Sequence, residues 1–215
     1  MDVPEFFIIN DTRKANEFHR KTYSGYLKKD VLDILFKKID ESGLEEVCIW
    51  STEAIISGYF EDLWEKIILY YAKYINTNSP YVPYHIFLRL NTFLKNGKKE
   101  DFKLNFLDLR NSQETRNHFC ELFCILTNAT KMRKPLPLPK INSNDFSKNV
   151  FEGKLRAKDY STSVKILTEK DPKEMTVLVN EFSYHMSDNH YNINQGLYWL
   201  SWILEWEKVN IKKYC

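Results

Sequence analysis

The chain has 215 residues with 31 Lys+Arg against 29 Asp+Glu, a formal net charge of +2, and it is 43% hydrophobic and 15% aromatic. That length suits one globular domain, or one compact helical array with a small appendage, and it can bury a core without disulfides or a structural metal. So many aromatics (13 Tyr, 14 Phe, 5 Trp) exclude a globally disordered chain, the near-neutral charge excludes a polycation that coats nucleic acid, and 6 Gly and 7 Pro argue against Rossmann and P-loop sites and against a turn-rich β-sandwich.

In chain order, residues 1–27 read as an N-terminal arm, a short apolar run from Phe6 to Ile9 followed by polar and basic residues. Residues 28–130 read as a helical array. Asp30 is placed to cap a helix carrying Val31, Leu32, Leu35, Phe36 and Ile39, which Gly43 ends. Leu44, Val47, Cys48, Ala54 and Ile55 mark a second helix stopped by Gly58, and Leu63, Trp64, Ile67, Ile68, Tyr71, Ala72 and Ile75 a third with a broad apolar stripe. Pro80 and Pro83 fit the first turn of a fourth helix running through Phe87, Leu90 and Leu94 to Gly97.

The polar stretch 96–108 predicts a loop that docks through Phe102, Leu104 and Phe106, and a long helix with Phe119, Leu122, Phe123 and Leu126 should begin near Asn111 or Ser112. Residues 131–160 read as a connector, because alternating Pro135, Pro137 and Pro139 forbid helix and favour extended backbone. Residues 161–215 hold the C-terminal helices, predicted to pack on the array. One is announced by Asp171 as N-cap, Pro172 and Glu174; Asn194 precedes the other, which carries Leu197, Tyr198, Leu200, Trp202, Ile203 and Trp206. About seven helices with short connections and no clean repeat predict an all-α protein, an irregular array akin to a helical bundle or α-solenoid with a Pro-rich basic connector.

The chemistry-bearing patterns are few. The sequence contains no GxxxxGK[ST], no GxGxxG after a strand, no HExxH, no GxSxG and no CxxC. Cys48, Cys120, Cys124 and Cys215 are expected as free thiols in a reducing compartment, and His118 with Cys120 and Cys124 does not have zinc spacing. His185 and His190 bracket Asp188 near a helix end, where a cap or solvated loop outweighs a metal site. No catalytic residue, cofactor or metal is therefore expected, and no secretory leader or membrane span, since the apolar cluster from Trp199 to Trp206 is short and broken by Ser201 and Glu205.

Two signals remain. Lys131, Arg133, Lys134, Lys140, Lys148, Lys154, Arg156 and Lys158 face only Asp145 and Glu152 in acid, so 131–158 carries +6 and the rest of the chain −4. Such a segment can contact phosphates or an acidic protein surface, or be a solvated connector. Trp199, Trp202 and Trp206, spaced three and four apart, share one helix face that packs a core or anchors an interface. Tyr23, Tyr26, Tyr59, Tyr70, Tyr71, Tyr74, Tyr81 and Tyr84 are too many for one core of this size, so some are expected at a rim or under a partner.

Several stretches are distinctive: KTYSGYLKKDVLDILFKKI (21–39), LEEVCIWSTEAIISGYFEDLWEKI (44–67), KYINTNSPYVP (73–83), NSQETRNHFCELFCILT (111–127), LPLPKI (136–141) and LYWLSWILEWEK (197–208). Together they resemble an all-helical protein family of the nucleocytoplasmic large DNA viruses, of giant-virus type. The resemblance carries no catalytic signature, so no functional residue transfers with it. It implies residence in the host cytoplasm (the viral factory) or in the virion, with other viral proteins as partners. The expected function is a non-enzymatic protein–protein interaction component, a minor capsid or assembly protein. The alternative is an accessory, collar- or adaptor-like subunit of replication or transcription machinery that contacts nucleic acid through 131–158.

Overall fold

The computed structural model describes residues 8–97, 105–138, 141, 153–159, 161, 163–169 and 171–214. The chain divides into two compact units, residues 1–134 and 135–215. The protein is all-α: the described residues form nine α-helices, and their one β-type pairing is an isolated bridge between Lys21 and Leu27.

In the first unit, α1 (Lys28–Asp40), α2 (Leu44–Ile56) and α3 (Phe60–Tyr70) follow in quick succession. α1 begins three residues earlier than the Asp30 signal predicts, because Lys28 N–H donates to Arg20 O at 2.9 Å and fixes the entry of the chain, leaving Asp30 as first-turn acid rather than cap. Gly58, at φ +78°, supplies the left-handed residue that lets α3 start directly after α2. The third predicted helix is divided: α3 passes into a π-helical turn, Tyr71–Ile75, and a 3₁₀ turn, Asn76–Asn78.

Beyond these turns lie α4 (Val82–Gly97), α5 (Phe106–Asn111) and α6 (Gln113–Asn128). α5 falls where a docking loop is predicted. The Asn105 side chain accepts from Leu107 N (3.1 Å) and Asp108 N (3.3 Å), a local cap that turns the end of that stretch into helix; Phe102 and Leu104 lie outside the described residues. Ser112 caps α6 as its position predicts, its Oγ accepting from Thr115 N at 3.2 Å. α6 packs on α1, α2 and α4. Leu35, Ile39, Val47, Ile55, Leu63, Ile67, Leu122 and Phe123 are buried there, beside an aromatic cluster in which Trp64 meets Phe119 at 5.0 Å and Phe60 meets Phe93 at 5.1 Å.

The described part of the arm is built into this unit. Phe18 is buried, and Glu53 of α2 accepts Ser24 N (2.7 Å) and Ser24 Oγ (2.8 Å). Arg110 of α5, itself buried, donates through Nε to Ile56 O at 2.6 Å and through Nη1 to Arg13 O, and it lies over the Phe18 ring.

The second unit contains α7 (Ser163–Ile166), α8 (Lys173–Met186) and α9 (Ile193–Tyr214). α8 and α9 pack together around Met175, Leu178, Val179, Trp199, Trp202 and Trp206. Both predicted start signals shift. Asp171 Oδ2 accepts from Thr168 N (2.7 Å) and Thr168 Oγ1 (2.9 Å), so it closes the preceding turn and Pro172 takes the cap position. At α9 the capping side chain is Asn192, whose Oδ1 accepts from Gln195 N at 3.2 Å, rather than Asn194. The two short helices α5 and α7 account for nine helices against the predicted seven.

Candidate functional site

The basic segment is divided between the two units. Lys131 donates from Nζ to Thr127 O (2.7 Å) and Ala129 O (3.3 Å), satisfying the carbonyl end of α6, and burial lowers its pKa. Arg133 and Lys134 are exposed at the end of the first unit. Lys140 and Lys148 lie outside the described residues, and Lys154, Arg156 and Lys158 are exposed on the second unit.

Lys154 and Arg156 line an open cleft of about 790 Å³ in the second unit, together with Tyr184, His185, His190 and Tyr198. The cleft is assembled from α8 outward. Glu181, 2% exposed, accepts Arg156 N at 3.0 Å and Ala157 N at 2.9 Å, while its neighbour Asn180 accepts Ser163 N at 3.3 Å and donates to Asp159 O at 2.5 Å. Two adjacent α8 side chains thus pin a non-helical segment along the helix and satisfy its main-chain groups.

The pinned segment carries its cations in defined positions. Lys154 Nζ donates to Tyr198 Oη at 2.5 Å and sits 4.7 Å from that ring's centre. Arg156 Nη1 donates to Gly153 O (3.3 Å) and Leu155 O (3.0 Å), so one edge of the guanidinium is held by backbone. In the same cleft the His190 ring stacks on Tyr184 at 4.2 Å, and Asn192 N–H closes the α8–α9 turn onto His185 O at 2.8 Å. His185 is buried, its Nε2 lies 3.7 Å from Glu181 Oε2 without a hydrogen bond, and desolvation lowers its pKa against the pull of Glu181. His185, Asp188 and His190 do share this cleft, but among the described residues no group of three His, Cys, Asp or Glu side chains has the arrangement to hold a metal ion.

The aromatic face turns out differently from the interface alternative. Trp199, Trp202 and Trp206 are 0, 1 and 9% exposed, so they form the core of the second unit rather than an open surface. Of the tyrosines, Tyr59 and Tyr70 are buried and Tyr71 and Tyr74 half-buried. Tyr23 and Tyr26 are exposed, and a larger open aromatic surface lies at the start of α4, where Tyr81, Tyr84 and Phe87 are 78, 62 and 59% exposed, with Leu88 beside them. Val82, Ile86 and Phe93 take the buried side of the same helix. The 81–88 spacing could have revealed this face: its apolar residues fill more of the helix circumference than one core contact can cover.

Cys48, Cys120 and Cys124 gather between α2 and α6, and Cys215 lies outside the described residues. Cys48 Sγ and Cys124 Sγ lie 3.7 Å apart, and Cys120 Sγ lies 3.6 Å from Ser51 Oγ. Burial, reinforced by the neighbouring thiols, pushes the Cys48 thiol up to about 12. No helix among the described residues is long and apolar enough to cross a membrane. No protein-family model, no curated protein and no solved structure matches the chain.

Proposed function

We propose that this chain is a non-enzymatic helical interaction component of a large DNA virus, working among other viral proteins as a minor capsid or assembly protein of the cytoplasmic factory or virion. The observation that supports the reading is the outer face of α4, where Tyr81, Tyr84, Phe87 and Leu88 expose aromatic and aliphatic surface side by side. Large exposed aromatics supply contact area at little entropic cost and are favoured as anchors of protein–protein contacts. The viral setting rests on the sequence stretches quoted above.

The test is quantitative affinity capture from infected cells, comparing the wild-type chain with a Tyr81→Ser/Tyr84→Ser/Phe87→Ser variant of equal helicity. Viral proteins recovered with the wild type should be lost with the variant. Identical recovery would remove α4 as the interaction surface and the reading with it.

A second reading, an accessory subunit of replication or transcription machinery, is favoured by the exposed Arg133 and Lys134 at the end of the first unit. It requires oligonucleotide binding that falls steeply with salt and is abolished by Arg133→Glu/Lys134→Glu. Salt-insensitive or absent binding would eliminate it.

A further inference from the structure

We propose that the cleft of the second unit is a binding site for a nucleoside phosphate, with Lys154 and Arg156 on the phosphates and Tyr191 and His190 against the base. The inference stands apart from the α4 surface, so either can fail alone. Its volume, about 790 Å³, falls among those of small-molecule sites.

The phosphate end follows from the pinned segment. Residues 155–157 are non-helical, and Lys154 and Arg156, two apart, both reach the cleft. Hydrogen bonds to Tyr198 and to two carbonyls occupy one donor of Lys154 and one nitrogen of Arg156. The remaining ammonium protons, and the guanidinium Nε and Nη2, are the donors a phosphate needs, and both residues are exposed. Because Glu181 fixes the backbone at Arg156, little ordering is left to be done when an anion arrives.

The remaining lining suits a base and a sugar. Tyr191 is 52% exposed and lines the wall, and the His190 ring is covered on one face by Tyr184. A flat aromatic ligand can stack on either ring, an interaction every nucleobase can make. Asp188, the acidic residue of the lining, repels phosphate but accepts hydrogen bonds from ribose hydroxyls, which orients the ligand with its phosphates toward Lys154 and Arg156.

Isothermal titration of the full chain with ATP, tripolyphosphate, adenosine and a short oligothymidine tests the site. ATP should bind more tightly than tripolyphosphate or adenosine. Lys154→Ala/Arg156→Ala should weaken ATP about tenfold or more. Tyr191→Ala should weaken ATP about fivefold or more and leave tripolyphosphate unchanged. Absence of ATP binding, equal affinity for tripolyphosphate, or oligothymidine binding that Lys154→Ala/Arg156→Ala abolishes but ATP does not displace would each overturn the proposal. Should the double variant lose its helicity, proton NMR of the wild-type histidines decides: ATP should shift the His190 ring resonances, and shifts confined to His85 or His118 would place the ligand elsewhere and overturn it.

Discussion

Glu181 accepts the main-chain N–H of Arg156 at 3.0 Å from a position on α8 that is 2% exposed. Through this contact and the neighbouring one to Ala157 N, a helix lends its order to a segment without helical bonds of its own. The same contact decides where the Lys154 and Arg156 charges stand. A buried carboxylate is costly alone, but here several donors compensate it.

Replacing Glu181 exposes that dependence. Glu181→Ala leaves the Arg156 and Ala157 donors without their acceptor and should cost about 2–4 kcal/mol, whereas Glu181→Gln keeps an acceptor and should cost less than half as much. Urea unfolding of the two variants, followed by Trp fluorescence, measures this. A Glu181→Ala loss below about 0.5 kcal/mol would mean that the segment holds itself.

The tryptophans give the converse test, between core and surface. Trp202, 1% exposed, lies among Met175, Leu178 and Val179, so Trp202→Ala should cost about 3–5 kcal/mol in the same assay. Tyr84→Ser, at a 62% exposed position, should change stability by no more than about 0.5 kcal/mol. A large loss at Tyr84 would show that the α4 face packs against something within the chain, leaving it no surface for a partner.

Helical periodicity made α1 legible, since Val31, Leu32, Leu35 and Ile39 are all buried, and Ser112 announced α6 correctly. Caps that depend on a single side chain in a polar stretch were less legible. Asn105 and Asn192 look like any loop asparagine, and Asp171 satisfies both an N-cap pattern and the backward turn to Thr168 that it actually forms. The cleft was half legible. The charges of Lys154 and Arg156 stand out in the sequence, but their partners on α8 and α9 do not, because Glu181 on a helix reads as solvated until the fold buries it. The Trp stripe shows one shared face, and periodicity alone cannot distinguish a core from an interface.

The arm should be held by a charge that acid removes. Asp11 Oδ2 lies 2.6 Å from Arg13 Nη2 and 3.4 Å from Arg110 Nη2; the Arg13 side chain, helped by Arg110, holds its pKa below the usual 3.8. A depressed carboxylate pKa stabilises the fold above the unfolded value, and that contribution is lost as pH falls through the folded value. Thermal unfolding should therefore show wild type more stable than Asp11→Asn at neutral pH, with the gap closing as pH falls below the ordinary carboxylate value of 3.8. A gap independent of pH would exclude the charge. Arg110→Met should free residues 8–27 for chymotrypsin at neutral pH, with early cleavage after Phe18, which is buried in the intact chain.

The thiol cluster makes a prediction at the opposite end of the pH scale. Burial, with Cys120 and Cys124 adding to it, moves the Cys48 thiol from its ordinary 9.0 up to about 12. Since the folded value lies above the unfolded one, the protonated thiol stabilises the fold fully below pH 9, and that contribution disappears as pH rises from 9 toward 12. Wild type should lose more thermal stability than Cys48→Ser across this range, because serine does not titrate there. At pH 8 the thiolate is scarce in the folded chain, so alkylation of Cys48 by iodoacetamide should be slower than in urea on the order of a hundredfold or more. Peptide mass spectrometry separates Cys48 from the other thiols. Equal rates in the folded and unfolded chain would mean that neither burial nor the neighbouring Cys120 and Cys124 holds the Cys48 thiol protonated.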